Sequence, residues 1–177
     1  ENMLEKLDKS KLKHLNTLDK RFKNSPYDPH NRYSLPYLWT STGITINTKH
    51  YPAGTITRWS DLWRPEFYQQ VLLIDESRDI FSMVMIMLGY SVNETNPERV
   101  HQAYTKLLAL LPNIRLFNSM AIPNILIDED VDIAVVWGGE AFFATAENPN
   151  LIYIYPEEGF TIDMDCISIP KGAHHMG

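Results

Sequence analysis

Several clusters of polar and aromatic residues have the types and spacing to hold a ligand or perform chemistry. The stretch Asp75-Glu76-Ser77-Arg78-Asp79 follows the apolar run Val71-Leu72-Leu73-Ile74 and leads into Ile80-Phe81. Glu76 and Asp79 are three residues apart, which on a first helical turn puts both carboxylates on about the same side. Such a pair can take part in ligand binding, although the helix dipole favours acids in a first turn even where they do nothing else. Trp137 closes the run Val131-Asp132-Ile133-Ala134-Val135-Val136 and is followed by Gly138-Gly139-Glu140. An aromatic ring there is either a core plug or a platform for a cation. The two glycines lack the spacing and the Lys-Ser/Thr of a phosphate-binding loop, so a structural tight turn is expected. In Asp163-Met164-Asp165, strand alternation sends the two acids to one face. There they repel unless solvent, a cation or a positive side chain separates them.

Other chemistries fare less well. Ser119, in Phe117-Asn118-Ser119, has no G-x-S-x-G elbow around it, which disfavours a serine hydrolase and leaves a hydrogen-bonding or capping role. An acid/base pair made of Glu76 and Asp79 would sit on one helical turn and could not flank a scissile bond. No metal site is expected: His14, His30, His50 and His101 are scattered, and the adjacent His174 and His175 cannot easily ligate one ion together. Cys166 is the single cysteine, which excludes an internal disulfide or a Cys-based zinc motif.

The elements that must position these residues are legible in outline. Tyr37 to Asn47 is rich in aromatic, Thr and Ile residues and reads as a long extended segment. Four further β-type runs are 71–74, 114–117, 131–137 and 151–155, with helical patterns between most of them. One helix is expected from Arg78 to Leu88, buried nearly all round and closed by Gly89 in the left-handed cap position. A second begins with Asn96 as its cap and Pro97 at its first position, with Val100, Ala103, Tyr104, Leu107 and Leu108 on one stripe and Pro112 at its end. Leu4, Leu7, Leu12, Leu15 and Leu18, set among lysines, predict a short surface helix and a connector. The turn-rich stretch Asn24 to Asn31 marks a boundary. Alternating strands and helices point to an α/β sheet covered on both faces.

Composition narrows the function classes. The 177 residues carry 16 Lys+Arg against 22 Asp+Glu, a formal charge of −6, which disfavours a nucleic-acid-binding module. No apolar run approaches the ~18 residues of a membrane-spanning helix. A chain that opens on Glu1 without an export signal and stops at Ile169 to Gly177 without a terminal helix reads as a piece of something longer.

Taken together and in order, 33–44, Trp59-Ser60-Asp61-Leu62-Trp63, 75–81, Val136-Trp137-Gly138-Gly139, Pro156-Glu157-Glu158-Gly159 and 164–170 resemble the spermidine/putrescine-binding periplasmic proteins, the solute receptors of polyamine ABC importers. The similarity runs through essentially the whole chain. It implies a type II periplasmic-binding-protein fold in which two α/β lobes close over polyamine by a hinge motion. On that reading, 1–38 is a remnant of the first lobe with the first crossing, 39–163 is the second lobe, and 164–177 is the second crossing. The partner implied is the membrane permease of the importer, the compartment is the periplasm, and no cofactor is implied.

The resemblance also assigns residues. Glu76 and Asp79 match the family's acidic pair that receives ammonium groups, with Asp and Glu in the reverse order. Ser119 matches a cleft serine, Trp137 the tryptophan over which the methylene chain lies, and Asp165 a carboxylate beside an amine. Asp163 stands where relatives carry an aromatic residue, often tryptophan. A lost cation–π contact is worth roughly 0.5–2 kcal/mol, so the exchange shifts affinity and amine selectivity and leaves the ligand class alone. Competing readings are the same fold with another cationic amine, or an interaction or sensing protein that no longer serves transport. Exposed strand edges of a single lobe lead to an expectation of self-association.

Overall fold

The computed structural model describes residues 3–174, so His175 lies outside the described residues. The chain packs as two units: Thr40–Ile162 is one, and the described residues before and after it form the other.

The larger unit is built on a mixed sheet. Strands β1 (Ser34–Asn47), β2 (Val71–Leu73), β3 (Ile114–Phe117), β4 (Ile133–Trp137) and β5 (Leu151–Ile154) are ordered β3-β2-β4-β1-β5. β2 pairs in parallel with both β3 and β4, whereas β1 runs antiparallel to β4 and β5. The apolar runs are continuous because both faces are covered: Val71 to Ile74 and Ile133 to Val136 have essentially no exposed surface. Helices α1 (Ser77–Met87), α2 (Pro97–Leu110), α3 (Ile122–Ile127) and α4 (Gly138–Glu147) supply that cover, α1 packing on α2 and α3 on α4. No helix among the described residues is long and apolar enough to cross a membrane.

The local signals act as expected at several ends. Asn96 Oδ1 accepts from the amides of Glu98 and Arg99, Pro97 occupies the first position of α2, and Gly89 follows α1 at φ 73°. The α2 stripe needs correction. Ala103 and Leu110 are buried, but Tyr104 and Leu108 are about half exposed, so the packed face is narrower than the apolar pattern suggests.

The amino-terminal leucines do not make an α-helix. Single 3-10 turns stand at Lys9–Lys11, Leu15–Thr17 and Lys20–Phe22, and Asp8 and Asp19 cap two of them by accepting from the amides of Ser10 and Arg21. Short-range caps of this kind compete with a continuous helix. Leu4 instead forms a bridge with Pro170, and the Leu7 amide donates to the Arg32 carbonyl. In this smaller unit Asp28 is the organising side chain. Burial penalises its charge, but the amides of Tyr33, Ser34 and Arg32 and the Ser34 hydroxyl donate to it and hold its carboxyl below the ordinary value. Strand β6 (Ile162–Ser168) pairs with β1.

Two of the motifs quoted above meet each other. Glu158 accepts from the amides of Trp59 and Ser60 and from the Ser60 hydroxyl, while the buried Trp59 indole donates to the Gly159 carbonyl at 2.7 Å. The 3-10 turn Trp59–Trp63 is thus clipped to the loop after β5, and these motifs serve the fold.

A close approach sits where β1 meets β5. A Cβ on Gly43 would lie 2.6 Å from the Tyr153 ring and hydroxyl and 2.7 Å from the Ile154 carbonyl oxygen. Ile154 is held by its pairing with Ile44, so the backbone cannot withdraw. Gly43→Ala is expected to destabilise the protein by about 1–3 kcal/mol, as measured by urea unfolding. The Tyr153 hydroxyl donates to the Ser41 carbonyl at 2.9 Å, and burial pushes its pKa up to about 12. Because the folded value lies above that of an unfolded tyrosine, near 10, this contribution is complete below pH ~10 and is lost as the pH rises through about 12. Tyr153→Phe should therefore lower stability by about 1 kcal/mol at neutral pH and flatten the alkaline decline in thermal unfolding.

Candidate functional site

The parallel pairing of β2 with β4 matches Leu73 to Val135 and brings both carboxyl ends to one edge of the sheet. Ligands of open α/β sheets bind at such an edge. From the end of β2, the Ile74 amide still bonds to Val135, after which Asp75 and Glu76 turn out into solvent. Glu76 takes the N-cap position of α1 with extended backbone and no capping bond from its side chain, and Asp79 falls in the first turn. The two acids therefore leave the backbone in different conformations and have different neighbours.

Asp79 Oδ2 accepts the indole N–H of Trp137 at 2.8 Å. Trp137, the last residue of β4, is half-buried and carries the N-cap backbone of α4. The hydrogen bond fixes the ring plane and leaves the second oxygen of the carboxylate without a bond from the ring. The two glycines after it are not a left-handed turn. They begin α4, and a Cβ on Gly138 would lie 3.3 Å from Ser41 Oγ, so the first glycine permits close packing on β1 while Gly139 has open space.

Ser119 reaches the same edge from the loop after β3. Its Oγ accepts the amide of Asp75 at 2.7 Å, and its own O–H remains able to donate. Beside it, the Asn118 amide donates to the Leu73 carbonyl, while Asn118 Oδ1 accepts from the amides of Met120 and Ala121 at the start of α3. Sequence reading missed Asn118, which closes an Asx-type turn ahead of α3, a use for which Asn is an ordinary turn signal. Glu76 and Asp75 also border a cavity of about 180 Å³ whose other walls include Ile80, Phe81, Leu107 and Phe117. Asp79 and Trp137 do not line it. The carboxylates of Asp75 and Glu76 accept no hydrogen bond among the described residues.

Asp163 and Asp165 are exposed on β6, on either side of the half-buried Met164, and belong to the smaller unit. Cys166, next along the strand, has its Sγ 3.4 Å from the Tyr27 hydroxyl.

Residues 1–176 match the model of the bacterial extracellular solute-binding proteins. The chain belongs to that family. It is 41% identical over 173 residues to the spermidine/putrescine-binding periplasmic protein of Salmonella typhimurium, covering 98% of this chain and 50% of that protein. The Escherichia coli protein of the same name is 39% identical over the same shares. Among solved structures, the spermidine/putrescine ABC transporter substrate-binding protein PotD of Streptococcus pneumoniae superposes with a TM-score of 0.83 at 32% identity, over 96% of this chain and 52% of that one. The TpPotD lipoprotein of Treponema pallidum gives 0.88 at 26%, over 97% and 55%. The chain thus spans about half the length of the curated relatives it matches. The Salmonella typhimurium, Escherichia coli and Streptococcus pneumoniae relatives are named as binding proteins.

In this member of the solute-binding family the Ser119 hydroxyl ties two loops of the sheet edge together. Ser119→Ala should leave the Asp75 amide without its acceptor at a cost of about 1 kcal/mol. Faster hydrogen exchange at the Asp75 amide, with exchange in β4 unchanged, is the expected readout.

Proposed function

We propose that this chain supplies most of the second lobe, residues 39–163, of a receptor that binds polyamines outside the cytoplasm and delivers them to the permease of an ABC importer. The observation that carries this reading is the Asp79–Trp137 hydrogen bond, which sets a carboxylate at the edge of an oriented indole ring. A protonated, flexible amine asks for that combination: the carboxylate takes an N–H through a charge-assisted bond, and the ring face takes the adjoining methylenes and cation. Glu76 offers a second carboxylate with no hydrogen-bond donor among the described residues, and the Ser119 hydroxyl a hydrogen bond beside it. Asp165 is assigned to an amine by family resemblance, and Asp163 stands where that resemblance places an aromatic wall, so it bears on affinity and amine selectivity. The periplasmic relatives named for spermidine and putrescine support the ligand class and the compartment.

A second reading keeps the fold and changes the cation. A relative in Pseudomonas aeruginosa, 29% identical over 191 residues, is named a putrescine/agmatine-binding protein. Glu76 and Asp75 at the border of the cavity would suit the broader cation of agmatine, whose planar guanidinium a carboxylate can take through two N–H groups at once.

Titration calorimetry of spermidine, putrescine and agmatine into the receptor carrying this lobe separates the two. Tight binding of spermidine or putrescine is expected. Asp79→Ala should weaken it roughly 10- to 150-fold, the loss of one hydrogen bond to a charged group at about 1.5–3 kcal/mol. Preference for agmatine selects the second reading, and no heat with any amine discards both.

A further inference from the structure

The smaller unit holds a concavity that plays no part in the sheet-edge site. It encloses about 200 Å³ between the 3-10 turns near the amino end and the turn-rich stretch before β1, and its walls include Lys9, Lys23, His30, Asn16, Asn24 and Asn31. No acidic residue lines it among the described residues. Residues 1–32 hold eight Lys/Arg against five Asp/Glu, whereas the remaining residues hold eight against 17, so this is the basic end of an acidic chain.

The nearby acids are committed elsewhere. Asp8 takes the amide and hydroxyl of Ser10, Asp19 pairs with Arg21 at 2.8 Å, and Asp28 takes its donors from Arg32, Tyr33 and Ser34. Lys9 donates to the His30 carbonyl and Lys23 to the Asn16 carbonyl at 3.4 Å, and neither ammonium has a carboxylate partner among the described residues. An ammonium has three donors, so each keeps unused ones. The wall is also held in a particular backbone shape. Asn24, His30 and Asn31 all have positive φ, at 60°, 66° and 49°, and the buried Asn31 side chain accepts the Asn24 amide at 3.2 Å. Non-glycine residues occupy that region at a cost and persist there where their surroundings require it.

We infer that this pocket is a binding site for a small oxyanion of the phosphate or sulfate class. Lys9 and Lys23 supply charge, and the Asn16, Asn24 and His30 side chains supply further donors, while Asn31 is engaged with Asn24 and Ser34 and shapes the wall. The volume admits a tetrahedral anion with bound water, and the absence of a lining carboxylate removes the usual competitor for the lysines. The site is independent of the polyamine reading and stands or falls separately.

The test is calorimetry of inorganic phosphate and sulfate against this chain at constant ionic strength set with chloride, together with co-sedimentation on phosphatidylglycerol and phosphatidylcholine vesicles. Saturable phosphate or sulfate binding is expected, weakened tenfold or more by Lys9→Gln and by Lys23→Gln and unchanged by Lys13→Gln, whose side chain does not line the pocket. The same mutational pattern in phosphatidylglycerol sedimentation, without binding of the free anions, assigns the pocket to a headgroup phosphate. No binding of any probe, or binding that the three variants affect alike, overturns the inference. Circular dichroism of each variant separates loss of the site from loss of the fold.

Discussion

Strand β4 is the constraint on which the larger unit depends. It is hydrogen-bonded to β2 on one side and to β1 on the other, and Ile133 to Val136 are buried. Its two neighbours run in opposite directions, so β4 decides which loops share an edge. Parallel to β2, it brings the chain after Leu73 beside Trp137; antiparallel to β1, it sets Thr42 opposite Trp137 and seats Gly138 against Ser41. The indole can reach Asp79 because pairing on both sides fixes the register of β4, and a one-residue slip would turn Trp137 to the opposite face of the sheet.

The chain separates acids that hold the fold from acids that face outward. Glu158 and Asp28 are saturated by backbone amides and hydroxyls, and Asp61 takes the amides of Thr57 and Arg58. Each closes a turn that would otherwise leave amides unpaired. Asp79 instead takes one side-chain N–H, and Asp75 and Glu76 take none among the described residues. A carboxylate surrounded by amides has little capacity left for an incoming cation, whereas one held by a single indole keeps most of its own. This difference distinguishes the sheet-edge acids from the many others on an acidic surface better than their spacing does.

How much was legible in the sequence follows from the range of each interaction. The strands emerged from runs that are apolar on both faces, and α1 and α2 from Gly89 and the Asn96-Pro97 start, all signals contained within a few residues. The pairing of Asp79 with Trp137 spans 58 residues and no local pattern carries it; family resemblance placed both residues at one ligand but not against each other. The amino-terminal leucines misled because Asp8 and Asp19 each cap a single turn, which periodicity does not register. Helix α3 escaped notice because six residues with a proline in the first turn carry too little periodicity. The need for glycine at 43 depends on Tyr153, and the clip of Glu158 on Trp59 joins segments 99 residues apart. Neither leaves a local trace.

The position of β1 also governs the order in which the molecule can assemble. Among the strands described it comes first in chain order, yet its partners in the larger unit are β4 and β5, whose residues lie some hundred positions later, and the loops between must close before that pairing is rewarded. During synthesis at ~5–20 residues per second, β1 waits for several seconds before β4 and β5 are available to pair with it, while β2 and β3 must also wait for β4 to complete the buried parallel centre. Contacts this distant in sequence make for slow, late folding, so the nascent chain spends an extended interval as an unfolded polypeptide with its most apolar strands uncovered.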